Sequence, residues 1–346
     1  MTIDLSLPVK LARAGAWRTY LGGSLIEALH GNEGCPDSNF PEEWIMSTVA
    51  ARNAGREHIV EGLSMVENTE LSLFELIAKD PAAALGAKHA EKYGKSLGVL
   101  VKLIDSAERL TVQVHPTRQK AMELFGSPFG KTECWHILGG REVNGEKPCI
   151  YFGFQKGITR EKWQEIFEKQ DIPAMLACMH KFYVKPGDTF LIEGGIPHAI
   201  GAGCFLVEVQ EPTDYTIRTE RKTPSGLDVS DFMCHQGLGF DRMFECFDYT
   251  GYTEEEILSR WYIPARDGAI IRYENTPMFR LDEITVDGSV TLQSGDVFSG
   301  IYVLEGEGTV AGTPVKRGAQ FFLSAACKPF SLEGNMKVIR FYGPKE

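Results

Sequence analysis

No apolar run in the 346-residue chain approaches the roughly 20 residues that span a bilayer. Its opening stretch, residues 1–11, lacks the basic-then-apolar order of a secretory leader. Positive charge is scarce: 36 Lys and Arg stand against 47 Asp and Glu, for a net charge of −11 at pH 7. That balance excludes an extended basic footprint, and with it nucleic acid and anionic membrane surfaces as partners. A small anion would have to be held by a local group of cations against the acidic background. None of the eight cysteines forms a Cys-x-x-Cys pair, and a chain this long needs no disulfide staples, so reduced, mostly buried thiols in a cytoplasmic protein are expected. Low-complexity segments and fixed-period repeats are missing too.

What is present is turn chemistry. Thirty-six glycines and seventeen prolines punctuate short apolar runs, which favours β structure. The pattern predicts helices over 71–79 and 81–92, broken at Pro81, then over 118–125, over 159–169 capped by Thr159, and from Asp171. Strands are expected over 98–104, 110–114, 132–138, 149–154, 182–184, 189–193, 205–210 and 215–218, with Pro186-Gly187-Asp188 a strong turn. Helical pieces occupy 231–261. From about residue 265 only short strands follow: 268–273, 279–286, 300–304, 308–315, 319–323 and 337–342. The chain therefore reads as mainly β, with a larger domain carrying helical insertions over residues 1–262 and a smaller all-β domain over 263–346.

Four residues stand out as candidate metal ligands. Gln113 and His115 lie two apart on a strand and so face one side, with Val114 turned to the other. Glu133 opens the next strand, and His198 follows Gly194-Gly195-Ile196-Pro197. A single strand histidine is more often a packed or surface residue than a ligand, and His30, His58, His89, His136, His180 and His235 are read that way. Together, two imidazoles, an amide oxygen and a carboxylate suit zinc, and also iron or manganese. A hairpin supplying such ligands before a later Pro-Gly-Asp turn and second histidine is the layout of a cupin, a jelly-roll β-sandwich. Ser294-Gly295-Asp296 and Leu304-Glu305-Gly306-Glu307-Gly308 suggest a second cupin-like domain. It holds no histidine, so it is expected to be metal-free.

The segments Val101-Lys102-Leu103-Ile104-Asp105, Leu110-Thr111-Val112-Gln113-Val114-His115-Pro116, Gly130-Lys131-Thr132-Glu133-Cys134-Trp135 and Ile196-Pro197-His198-Ala199-Ile200-Gly201 occur in the order found in type I mannose-6-phosphate isomerases. The chain resembles that family from about residue 95 to 222. The resemblance implies a cupin-fold isomerase with one zinc ion per chain, interconverting mannose 6-phosphate and fructose 6-phosphate. It places the zinc ligands on Gln113, His115, Glu133 and His198, catalytic or phosphate-binding lysines on Lys102 and Lys131, and an active-site aspartate and arginine on Asp214 and Arg218. Three segments depart from the family: Trp17-Arg18-Thr19-Tyr20, Glu42-Glu43-Trp44-Ile45-Met46-Ser47 and Thr219-Glu220-Arg221.

Aldose–ketose isomerisation moves a proton between adjacent carbons through an enediolate. It needs a base and positive charge at the developing oxyanion. Lys102, flanked by apolar residues, is expected to be buried near the metal, which would lower its pKa toward that of a base. Lys131 is two residues from Glu133 and, in an extended segment, on its face. Lys102, Lys131 and Arg218 would form the local cation group for a phosphate, with Arg221 and Lys222 at its rim, and Asp214 would serve ring opening. Two other readings stay open: a cupin Fe(II) oxygenase built on His115, Glu133 and His198, and a non-catalytic sugar-phosphate-binding cupin.

Overall fold

The computed structural model describes residues 3–53, 55–56, 58–266, 268–293 and 295–345. It is mainly β, built from three antiparallel sheets with short helices at their margins. One sheet has six strands in the order Gly15–Ala16, Glu42–Ile45, Leu100–Asp105, Cys204–Gln210, Glu133–Gly140 and Thr189–Ile192. A five-stranded sheet runs Ile217–Arg218, Gln113–Val114, His198–Ile200, Cys149–Phe154 and Met179–Tyr183. The third sheet is built on three long strands, Arg280–Leu292, Ser299–Val310 and Phe330–Tyr342, joined by Thr313–Lys316 and Gln320–Leu323. Val9–Leu11, from the far end of the chain, pairs along its edge with Gln320–Leu323. Among the described residues, no helix is long and apolar enough to cross a membrane. All eight cysteines are free thiols, seven of them buried.

Local signals set several elements at the expected residues. Thr117 caps Arg118–Phe125 and Thr159 caps Arg160–Lys169, each side-chain oxygen accepting from a first-turn amide. Asp171 caps Ile172–Ala177, with a proline in its first turn. Other boundaries differ for physical reasons. The helix expected over 81–92 is two, Pro81–Leu85 and Ala87–Tyr93, because Gly86 between them takes φ 100°. The strand expected over 110–114 shortens to Gln113–Val114, because the Glu220 carboxylate takes the amide of Val112 at 2.6 Å. Residues 268–273 form turns and isolated bridges, with Gly268 at φ 69°. The strand expected over 300–304 runs on through Gly308 as Ser299–Val310, and the one expected over 308–315 is broken by a turn at 311–312, after which Thr313–Lys316 pairs back on it. Gly308 there is no turn: it crosses Gly334 in mid-sheet, where a Cβ would lie 2.0 Å from the Glu333 carbonyl oxygen.

Register prepares the site. In the six-stranded sheet Trp44 faces Lys102, Lys102 faces Glu208, Glu208 faces Trp135 and Trp135 faces Phe190. Directly opposed residues share a face, as do residues two apart. Glu42 and Glu133 therefore join Trp44, Lys102, Glu208 and Trp135 on one side. In the five-stranded sheet Gln113 lies between His198 and Arg218. Val112, Val114, Ala199 and Ile217 are buried in the opposite wall with Phe154 and Trp163. The polar row of one sheet meets that of the other, inside an otherwise apolar interior.

Candidate metal centre and active site

Burial of this many polar groups is costly unless each finds a partner. His115, Glu133 and His198 are all buried, with one potential ligand atom each within 4.8 Å of the others, the one such group among the described residues. His115 Nδ1 lies 2.8 Å from the Tyr215 carbonyl oxygen, and His198 Nδ1 2.8 Å from that of Ile196. A carbonyl only accepts, so each Nδ1 carries the proton and each Nε2 presents its lone pair to the centre. Burial, with Lys131 beside it, lowers the pKa of His115, and burial with His115 beside it lowers that of His198 to about 3. Both rings are neutral at neutral pH, as ligands must be.

Burial pushes the Glu133 carboxyl up, but the Lys131 ammonium beside it holds it well below the usual carboxylate range. Its Oε2 accepts from Trp135 Nε1 at 3.1 Å. Its Oε1 lies 2.9 Å from Lys131 Nζ and 3.1 Å from His115 Nε2, yet neither contact has hydrogen-bond geometry and the oxygen has no hydrogen-bond partner. The Gln113 amide completes the group, its nitrogen 3.4 Å from His198 Nε2. Amide O and N are exchanged by a half-turn, which would bring the oxygen to that position. An orphaned carboxylate oxygen, two imidazole lone pairs and an amide converge on one point. The donor set fits a divalent cation that takes nitrogen and oxygen ligands.

Beside the centre is a narrow cavity of ≈ 50 Å³ lined by Arg18, Lys102, Lys131, Asp214, Arg218 and Gln113. A larger cavity of ≈ 370 Å³, with His136 and Lys337 in its lining, shares none of these lining residues. The narrow cavity is smaller than most ligand pockets, which commonly measure about 300–1,000 Å³.

The structure brings the sequence-selected residues together but gives two of them unexpected partners. Lys102 Nζ is 3.0 Å from Glu208 Oε1 and 3.9 Å from Glu42 Oε2. Burial drives its pKa down, but Glu208 and Glu42 reverse the shift and the net change is upward. The expected lowering of the lysine pKa is therefore corrected: in the described protein Lys102 is an ammonium. Glu208 is pushed up by burial and by Glu133. Asp214 is gripped by the Arg18 guanidinium through two contacts of 3.2 and 3.3 Å, and by the Arg52 amide at 3.2 Å. Arg218 Nη1 donates to the Thr216 and Met233 carbonyls at 3.2 and 3.1 Å. Among the described residues no carboxylate comes within ion-pair distance of it, which sets it apart from the other cations lining the cavity. Arg221 and Lys222 instead pair with Asp231 and Asp228 at the exposed surface.

Sequence reasoning missed Arg18, Glu42, Glu208, Arg109 and Glu220. Glu42 accepts from Tyr20 and Trp44 at 2.7 Å each and pairs with Arg18 at 3.0 Å. Burial raises its carboxyl, but Arg18 and Lys102 bring it down to about 2. Trp135 Nε1 is shared between Glu133 and Glu208, at 3.1 and 3.0 Å. Arg109 is held in a fork by Glu220, at 2.5 and 2.8 Å. The available signal was charge inside apolar strands, as in Leu206-Val207-Glu208-Val209, and the three segments where the chain departs from its resemblance, each of which supplies a buried group here.

A model of the phosphomannose isomerase type I catalytic domain matches residues 54–128, and a model of the mannose-6-phosphate isomerase cupin domain matches residues 269–343. The chain is 27% identical over 289 residues to mannose-6-phosphate isomerase ManA of Bacillus subtilis strain 168, covering 80% of this chain and 84% of that one. It is 26% identical over 270 residues to a mannose-6-phosphate isomerase of Streptococcus mutans, covering 75% and 79%. The solved mannose 6-phosphate isomerase of Bacillus subtilis shares the fold with a TM-score of 0.73 at 21% identity, over 97% of this chain and 99% of that one. A mannose 6-phosphate isomerase solved with zinc and yttrium does so with a TM-score of 0.72 at 15% identity, over 97% and 99%. Catalytic and cupin models of one enzyme type match in chain order, and both of these curated relatives align over three quarters of the chain or more: the chain is similar in both parts to type I phosphomannose isomerases, which are aldose–ketose isomerases.

Proposed function

We propose that this protein is a zinc-dependent isomerase interconverting mannose 6-phosphate and fructose 6-phosphate through an enediolate. The observation that carries the reading is the buried His115–Glu133–His198 group, with Gln113 at its edge, beside a cavity lined by Lys102, Lys131, Asp214 and Arg218. In this reading residues 1–262 carry the chemistry. Residues 263–346 form a metal-free cupin-like companion, to which Val9–Leu11 adds an edge strand. Gln113, His115, Glu133 and His198 hold the ion, which when bound supplies Lewis acidity toward sugar oxygens.

The remaining roles belong to the chain's own side chains. Arg218, with no carboxylate partner among the described residues, is the principal phosphate contact, and its planar fork matches phosphate oxygens. Lys131, 2.9 Å from Glu133 Oε1, places a second cation beside the metal ligands. Lys102 and Glu208, 3.0 Å apart, share one proton. Passing it from Nζ to Glu208, which burial favours, leaves a neutral amine that accepts the proton from C2 and returns it to C1, while the hydroxyl proton passes from O2 to O1. The enediolate charge that forms between those events faces the Lys131 ammonium beside Glu133. Asp214, an ionised acceptor, orients a sugar hydroxyl during ring opening.

Turnover of mannose 6-phosphate and close analogues by zinc-reconstituted protein tests this reading. Substrate-dependent fructose 6-phosphate formation is expected. Sugar-phosphate binding to zinc-loaded protein with no isomerisation would instead make it a binding protein, and oxygen uptake with ferrous iron would make it an oxygenase.

A further inference from the structure

Arg18 has no place in the chemistry described so far, yet it is among the most constrained cations of the molecule. It is buried, at 6% exposure, although arginine is among the residues least often found inside. Its Nη1 and Nη2 engage both oxygens of Asp214, at 3.2 and 3.3 Å. Its Nε lies 3.0 Å from Glu42 Oε2, and Asn53 Oδ1 accepts from Nη1 at 3.4 Å. The guanidinium carbon sits 5.0 Å over the Trp44 ring, as does Lys102 Nζ. A bidentate fork fixes the plane of a carboxylate as well as its charge, which a single lysine contact does not.

We propose that Arg18 is a positioning residue of the isomerase site: it locks Asp214, as a carboxylate in one orientation, to accept a hydrogen bond from a hydroxyl of the bound sugar. The assignment rests on the sugar-phosphate reading given above. Its rival is a plain staple, in which Arg18 ties the N-terminal segment and residues 52–53 to the Asp214 loop and does nothing more. The two differ in what happens to Asp214 as pH falls. Asp214 is faced by Arg18, Lys102, Lys131 and Arg218, and by the Arg52 amide. Burial raises its carboxyl and these cations, Arg18 first, bring it far below the usual carboxylate range. Without Arg18 the burial effect is opposed by fewer charges, so Asp214 takes up a proton at higher pH and loses its acceptor role there.

The test compares Arg18→Gln, Arg18→Lys, Asp214→Asn and the double variant Arg18→Gln/Asp214→Asn in full-length, zinc-loaded protein. Three quantities are read: the pH profile of kcat/KM, the pH profile of affinity for a hexitol 6-phosphate, and the melting temperature, with metal content checked at each pH. Arg18→Gln should move the acid limb of both profiles upward by about 1–3 pH units, the usual effect of an opposite charge at this range. Arg18→Lys should fall between, and the double variant should match Asp214→Asn within about twofold, since residues acting through one group are not additive. A uniform loss across pH, with the limb unmoved, makes Arg18 a staple and overturns the proposal. So does a double variant whose loss is the product of the two singles, or an Asp214→Asn variant with wild-type profiles. Arg18→Lys decides the question if Arg18→Gln does not fold. Because the hexitol carries no carbonyl, its binding reads the limb without turnover. Absence of isomerisation by the wild type would therefore refute the isomerase reading alone.

Discussion

Replacing Lys102 with methionine separates charge burial from chemistry, because the volume is nearly kept and only the ammonium is lost. The structure gives the consequence for stability. Lys102 is 2% exposed and is the one cation within ion-pair distance of Glu208 among the described residues. Removing one partner of a buried pair costs about 3–5 kcal/mol when the other stays charged. Glu208 has an escape, since burial already pushes its carboxyl up. In Lys102→Met its folded pKa lies above its unfolded value, so stability is greatest below the unfolded pKa and is lost as pH rises through the folded one. The destabilisation should accordingly be smaller near about pH 5 than near about pH 8. Adding Glu208→Gln removes the stranded charge and should recover most of the lost stability, to within about 1–2 kcal/mol of wild type. Turnover behaves differently. A side chain that moves a proton contributes about 10²–10⁴-fold, so both the single and double variants should stay slow while zinc content is unchanged. The assay is denaturant unfolding at the two pH values alongside isomerase turnover. Near-normal turnover in Lys102→Met, or turnover restored together with stability in the double variant, would refute the proton-sharing role.

Zinc that binds only the folded chain should stabilise it by about 2.7 kcal/mol at a hundredfold excess over Kd, so chelation should lower the melting temperature and stop turnover, and zinc should restore both. In the metal-free protein His198 is buried and neutral, with a pKa near 3 against an ordinary 6.5. The unfolded chain then binds more protons across that window, so the melting temperature should fall as pH drops from about 6.5 toward 3, and less so in His198→Asn. Glu220→Gln frees Arg109 and weakens the grip on the Val112 amide next to Gln113. It should cost about 1–3 kcal/mol of stability and weaken zinc binding by less than the roughly 10–100-fold expected for groups that contact metal ligands directly. Gly308→Ala should be strongly destabilising, since its methyl would lie 2.0 Å from a carbonyl oxygen; unchanged unfolding midpoints would show that the long strands can separate there.

Some of this organisation could be read directly from the chain. Helix starts at Thr117 and Thr159 are local, because a capping oxygen needs only the amides three residues on. Cys149–Phe154 was legible because its length and apolar content admit little else. The span 300–315 was misread because glycine in a strand and glycine in a turn look alike in sequence; only the crossing of Gly308 with Gly334 reveals close backbone approach. The strand over 110–114 was overextended because nothing nearby announces that a carboxylate at position 220 replaces a ladder partner.

The same boundary runs through the site. By itself the sequence determined which residues could offer ligand atoms, and that Gln113 and His115 share a face, because alternation on a strand is a two-residue property. It also determined that cations must gather locally if an acidic chain is to hold an anion. Tertiary structure alone decided how those charges are spent. Strand register sets Glu208 against Lys102, so a lysine expected to be a free base is an ammonium sharing its proton. Chain packing brings Arg18 onto Asp214, 196 residues away in sequence, and leaves Arg218 without a carboxylate partner among the described residues. Coulombic interaction depends on distance in space, and a linear pattern fixes spatial distance only within one helix or strand.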